Sequence, residues 1–436
     1  MRKTGVVLAT AAIAALLLSF FVIRDFRLRV AVSGLPEPPT AGAPADLVES
    51  LASCRAAVVN RPRSDDAWGV YGLALYGNDF FPQAAICFAR AEELSPEKSR
   101  WPHLLALCLP QDARPRRIAA LERALAANPA QAASAAALVE DLLEDDLVER
   151  AESALTSALA FAPSDERLAF LRSRIHVRKG EYDAAIRICE GLVRSRPTRR
   201  DVRHLALESH RGAGQAAEAA IDAKALALLD AAPPDPPWED PLAAQAVGFR
   251  LSSEWRRLRA IKAGERGDYA AAAAEIEKLP PDERKTLEMR VLAASCGART
   301  GARPDAEGEL RALANEDPRD SMATLELANL QLARGRYSDA AASFEEALRR
   351  LPGIDVAHHG LGVCRWMLDR KADALRSFAA AFAANPLNGA VARKLASGLI
   401  EAGRSAEAKK VLDDALLLSP DDSVLLALRK RIAAAP

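Results

Sequence analysis

Prolines return along this chain at a near-constant interval, and that interval limits the fold more than any other feature. Pro62, Pro96, Pro129, Pro163 and Pro197 stand 34, 33, 34 and 34 apart in turn. Pro318, Pro352, Pro386 and Pro420 resume the series, each 34 from the last. A proline donates no backbone hydrogen bond and stops a helix. A breaker at that period marks a stack of short helical units in place of one globular core. Alanine dominates the apolar residues and aromatics are only 5%, which favours helices packed closely through small side chains.

The residues between the prolines keep the same register. The unit at 65–98 carries Trp68, Gly72, Ala84, Phe88, Ala91 and Pro96, with Tyr71 and Leu75 at two further apolar positions. A later unit carries Leu327, Gly335, Tyr337, Ala340, Phe344, Ala347 and Pro352. Leu361, Gly362, Ala374, Phe378, Ala381 and Pro386 follow, then Leu395, Gly403, Ala408, Ala415 and Pro420. This pattern resembles the tetratricopeptide repeat family over nearly everything after residue 46. The resemblance implies an all-α, right-handed α-solenoid of antiparallel helix pairs. The physical sense of the pattern is direct. Ala340 and Phe344 lie four apart on one helix face, and Ala347 follows three later. Gly72 lets a second helix approach, Gly335 suits a left-handed helix end, and the proline closes the pair. One such hairpin cannot bury its apolar face, so several must stack.

The departures from register set the expected organisation. Residues 35–45, LPEPPTAGAPA, read as a semi-extended linker. An amino-terminal array is expected over 46–231, its first helix serving as an entry cap. The unit around Trp101 is interrupted by PQDARPRR, so its first helix should be short. From Pro197 to Pro318 the register breaks. There APPDPPWEDP, with five prolines, can be neither helix nor central strand. It resembles a Trp-x-Asp-Pro linker of larger bacterial tetratricopeptide proteins. A Pro-rich linker is therefore expected over 232–250, and a carboxyl-terminal array with a capping helix over 251–436.

Residues 1–34 form an expected membrane anchor. Arg2 and Lys3 precede an uncharged stretch over residues 4–23, with a transmembrane helix at about 5–23. Roughly 20 apolar residues span a bilayer. Arg24, Arg27 and Arg29 would crowd any cleavage region, which favours an uncleaved anchor over a signal peptide. With basic residues on both flanks, charge hardly orients the span. The short tail ahead of it places the bulk of this single-pass chain on the extracytoplasmic side, whereas six scattered cysteines point mildly the other way.

Chemistry-bearing motifs are sparse. With 59 basic and 59 acidic residues the net charge is zero, giving no global pull toward nucleic acid. No GxxxxGK[ST], GxGxxG after a strand, HExxH or nucleophile elbow occurs, so no catalytic residue, cofactor or metal is assigned. His358 and His359 are adjacent and point apart on a helix, which argues against a shared metal. The acidic run Glu140, Asp141, Glu144, Asp145, Asp146 and Glu149 reads as a solvated face before it reads as a cation site. The basic run from Arg194 to Arg203 could touch an anion, but it spans an inter-repeat turn.

A binding role remains. In relatives the first helices line a concave groove that holds peptides, and that resemblance nominates positions between the packed ones. These are Asn329, His359, Trp366 and Arg393 in the carboxyl-terminal array, and Tyr76, Arg167, Arg174 and Arg178 in the amino-terminal one. The expected function is a membrane-tethered, non-catalytic scaffold or adaptor for a partner protein or peptide, with self-association as a further possibility. The alternative is an accessory subunit of a membrane redox or envelope-polymer enzyme system.

Overall fold

A computed structural model describes residues 34–317 and 319–434 of the protein. Every regular element in it is helical, with no strand among the described residues. The expected transmembrane helix at about 5–23 lies outside the described residues. Among those described, no helix is long and apolar enough to cross a membrane.

The chain divides into two compact units. The first holds the described part of Met1–Pro163 together with Glu239–Trp255. It opens on α1 (Ala45–Asn60), followed by three helix pairs: α2 (Asp65–Tyr76) with α3 (Phe81–Leu94), α4 (Arg100–Cys108) with α5 (Arg114–Ala127), and α6 (Ala132–Glu144) with α7 (Val148–Leu159). Local chemistry sets these ends. Ser64 caps α2, its Oγ accepting the Ala67 N–H at 3.2 Å. Pro82 sits in the first turn of α3, where no N–H partner is lost. The α4 helix is short, as its prolines require, and a 3-10 turn at Gln111–Ala113 separates it from α5. Trp68, Tyr71, Phe88 and Trp101 form the fully buried centre, with the Phe88 and Trp101 rings stacked at 6.3 Å. The segment after Gly34 is held down as well, since Tyr71 Oη donates to the Pro36 carbonyl at 2.8 Å.

The second unit holds Ser164–Trp238 and Arg256–Pro436, of which residues up to 434 are described. Its first part pairs α8 (Glu166–Arg178) with α9 (Tyr182–Ser195) and α10 (Arg200–Gly212) with α11 (Ala216–Leu229). Its second part begins in α12 (Ser253–Glu265), which pairs with α13 (Tyr269–Glu277), followed by a single turn, α14 (Pro281–Arg284). Four pairs complete it: α15 (Leu287–Thr300) with α16 (Ala306–Glu316), α17 (Met322–Ala333) with α18 (Tyr337–Arg350), α19 (Asp355–Met367) with α20 (Lys371–Ala384), and α21 (Gly389–Glu401) with α22 (Ser405–Leu418). The closing helix is α23 (Ser423–Ala433).

A residue with left-handed backbone stands between the two helices of nearly every pair. Gly180 and Gly214 are 34 apart, as are Gly267, Gly301, Gly335, Asp369 and Gly403 in succession. Such a residue reverses the chain while its amide closes the preceding helix. The step from Gly214 to Gly267 exceeds one repeat by little more than half a repeat. The lost register is therefore a single insertion into an otherwise regular series, and it contains the proline-rich segment.

Candidate functional site

The carboxyl-terminal pairs place two first helices, α19 and α21, side by side with α20 behind them. Glycines set the spacing. A Cβ at Gly360 would stand 2.2 Å from the Phe344 ring, and one at Gly362 would stand 2.6 Å from Phe378. Between α19 and α21 opens a cleft of about 290 Å³. Val363, Trp366 and Met367 line one wall, Phe378 the floor, and Lys394, Ser397, Gly398 and Glu401 the other wall. Gly398 keeps it open, because a Cβ there would meet Trp366 at 3.3 Å and Leu375 at 2.7 Å. Met367 is 54% exposed. Half-buried Trp366 and exposed Met367 thus give one wall an apolar face, opposite a wall that carries a cation and a carboxylate.

His359 contacts two of the residues that line this cleft. Its ring is 5.9 Å from that of Phe378, and Lys394 Nζ stands 3.3 Å from its Nε2. Burial and then the neighbouring Lys394 charge lower the His359 pKa below the ordinary histidine value. The imidazole is accordingly neutral at pH 7, with Nε2 accepting from the ammonium group. His358 turns away to the Pro352 carbonyl at 2.8 Å.

Of the residues nominated from sequence, Trp366 and His359 meet around Phe378. Asn329 lies on α17 with its amide 3.4 Å from Glu326. Arg393 donates to Asp422 at 2.7 Å, the same carboxylate that caps α23, so it fastens the closing helix. Tyr76 is in the first unit, edge-on to Phe81 at 5.4 Å, and burial pushes its phenol up to about 12. Arg167 and Arg174 are half-buried on α8, and Arg178 is exposed at its end. The packing residues sit as follows. Trp68, Ala84, Phe88 and Ala91 are buried, as are Ala340, Phe344 and Ala347, and Ala374, Phe378 and Ala381. A Cβ at Gly72 would lie 2.7 Å from Phe88. Tyr337 opens α18, and Pro96, Pro352 and Pro386 each follow a helix end by two residues.

Each of the two charge runs places part of its residues inside the fold. Arg196 pairs with Glu166 at 2.5 Å. Arg199 lies over Trp238 at 3.8 Å and pairs with Asp201, while Arg200 donates to the carbonyls of Leu229, Ala232 and Pro233. Arg203 is buried against Asp222 at 2.9 Å. The basic run is thus largely an internal brace. Within the acidic run, Asp141 is buried and pairs with Arg117 at 3.0 Å, and Asp145 pairs with Arg114 at 2.7 Å. Burial raises the Asp141 pKa, with Arg117 opposing. So Asp141 corrects the reading of a wholly solvated acidic face, and no metal-binding group of three occurs among the described residues. The six cysteines are free, five of them buried, and burial raises every thiol pKa. Thiols in that state are poor nucleophiles.

Family models described as "Tetratricopeptide repeat" match residues 136–200, 298–355 and 369–432. None of the curated proteins matches the sequence. Among solved structures, TTC0263, a tetratricopeptide protein of Thermus thermophilus, is 21% identical over 42% of this chain and 98% of its own, with a TM-score of 0.34. Yeast Tom70 is 12% identical over 85% of this chain and 95% of its own, at a TM-score of 0.37. MamA from AMB-1 is 23% identical over 40% and 96%, at 0.29. These likenesses are too distant to carry function. The family matches and the helix pairing agree on one conclusion: this chain carries tetratricopeptide repeats, in its amino-terminal and its carboxyl-terminal halves alike.

Proposed function

We propose that the protein is a non-catalytic scaffold, tethered to a membrane by residues 1–34, that holds a partner protein through the cleft between α19 and α21. Tetratricopeptide repeats generally mediate protein–protein interactions. The observation that carries the reading here is Trp366, half-buried beside the exposed Met367 in a groove between two first helices. Aromatic anchors in partly desolvated pockets supply most of the energy in such contacts. Lys394 and Glu401 at the opposite wall fit a peptide with an apolar anchor flanked by charge.

The test is capture by the full chain purified from intact membranes. A stoichiometric partner held by the wild type and lost with Trp366→Ala and with Lys394→Glu supports the site. A partner indifferent to both substitutions, or none recovered, overturns it. Tethering and sidedness are checked separately by fusing alkaline phosphatase, active outside the cytoplasm, after Pro436. Activity supports an extracytoplasmic array, and inactivity reverses the assignment.

A further inference from the structure

The first repeats carry a groove of their own, and the chain itself fills it. The second half of the insertion, residues 239–252, crosses the first helices α2 and α4 within the first unit. Asp240 accepts from His103 Nε2 at 2.9 Å, and His103 is fully buried on α4. The other histidine nitrogen faces Ser134 Oγ on α6 at 2.9 Å, so both ring nitrogens have a polar partner. Asp240 also accepts the N–H groups of Leu242 and Ala243 at 3.0 Å, which opens a 3-10 stretch over Ala243–Phe249. Ala246 is fully buried, and its carbonyl rests against Gly77, where a Cβ would stand 2.6 Å away. Gly77 has an ordinary helical φ of −63, so its bare Cα serves this close approach and not a turn.

Asn78 completes the grip. Its side chain is nearly buried, at 5% exposure. Its Oδ1 accepts the N–H groups of Leu251 and Ser252, each at 2.8 Å, while Nδ2 donates to the Phe249 carbonyl. Leu242, Phe249 and Leu251 pack on the core of the unit, as Tyr76 does. A spacer between arrays needs only length and stiffness. This segment is instead held as a receptor holds a peptide: backbone by a side-chain amide, carboxylate by a buried imidazole, apolar side chains by an apolar wall.

We propose that this face of α2 and α4 is a peptide-binding site whose resident ligand is residues 239–252, and that an external peptide with the same chemistry displaces it. That chemistry is a carboxylate followed, nine residues on, by an aromatic side chain, as Asp240 is by Phe249. The site is separate from the α19–α21 cleft and does not depend on it. Occupation from within lowers the apparent affinity for any competitor by the fraction of time the groove stands open.

The experiment uses the full chain and a fluorescein-labelled synthetic peptide of residues 239–252, read by anisotropy. Asp240→Asn with Phe249→Ala weakens the resident segment and leaves the groove intact. That variant is expected to bind the peptide at least tenfold more tightly than the wild type. Adding Gly77→Ala, which obstructs the Ala246 carbonyl in resident and peptide alike, is expected to abolish the gain. A variant that keeps its helical circular dichroism yet binds no better than the wild type overturns the proposal and leaves the segment a structural staple. Should the variant fail to fold, amide exchange of the wild type decides. Excess unlabelled peptide should speed exchange at Leu251 and Ser252, whose N–H groups Asn78 receives, and unchanged exchange there overturns the proposal equally.

Discussion

Glycine does two different jobs in these repeats, and substitution separates them. Gly335 has a φ of 73 and open space where a Cβ would go. Gly335→Ala therefore meets no neighbour and incurs only the left-handed penalty, a net loss of about 1 kcal/mol. Gly362 has no such backbone, but its Cβ would strike Phe378. Gly362→Ala should cost about 1–3 kcal/mol through overpacking. Adding Phe378→Leu should recover part of that cost, whereas it should recover nothing at Gly335. Chemical denaturation of the four variants measures the difference. His359 adds a pH dependence whose sign follows from its surroundings. Its folded pKa lies below the unfolded value of about 6.5, so the unfolded chain binds the extra proton first. Stability is therefore full above that value and falls as pH drops through the window beneath it. A His359→Gln variant should lose this part of the acid sensitivity, and a titration of the His359 ring by NMR should find its midpoint below about 6.5. Sequence made Phe344, Phe378 and their alanines legible because each alanine stands three or four residues from its phenylalanine on the same helix face. Gly69 and Gly77 were not legible, since what presses on them, Trp101 and Ala246, comes from elsewhere in the chain.

Helix ends were readable because proline and left-handed residues act locally. The contacts between non-successive helices were not. Arg203 on α10 donates from Nη1 to Asp222 on α11 at 2.9 Å, from Nε to the Pro197 carbonyl at 2.9 Å, and from Nη2 to the Leu417 carbonyl of α22 at 3.1 Å. His210 meets the second oxygen of Asp222 at 2.9 Å. Ala225, Leu229 and Leu418 form a small buried cluster beside this network, joining α11 to α22. In sequence Arg203 is one arginine in a basic run, and nothing local distinguishes it from the exposed Arg194 and Arg196. Arg203, Asp222 and His210 are all buried, so the group behaves as a unit. Asp222→Ala leaves the Arg203 cation buried with carbonyls alone and should cost about 3–5 kcal/mol. The exposed pair Arg150–Glu122, about half accessible on each side, gives the contrast. Glu122→Ala should change stability by less than about 1 kcal/mol. Thermal melts of both variants test the difference.

At the scale of the whole chain, the period predicts how stability is distributed. The insertion was visible as a loss of register. Its size follows from the same spacing, since Pro197 and Pro318 stand 121 apart, three repeats and 19 residues, and the left-handed turns show that same surplus of little more than half a repeat. That the same segment would return to α2 and α4 could not be read, since Asn78 and His103 carry no motif until their partners at 240–252 are in place. Cores in such a stack are local: the cluster around Phe88 and Trp101 is distinct from the one around Phe378 and Leu395. Each repeat contributes its own stability and an interface with its neighbours, so unfolding should not be all-or-none. Phe88→Ala removes a fully buried ring and should weaken the first repeats by about 3–5 kcal/mol. Hydrogen exchange should then accelerate through α2, α3 and α4, while protection in α20, α21 and α22 stays at its wild-type level. Phe378→Ala should give the reverse pattern, and the double variant the sum of the two. Acceleration spread evenly over all helices by either substitution would mean that the repeats unfold together, and the nearest-neighbour description of this chain would have to be abandoned.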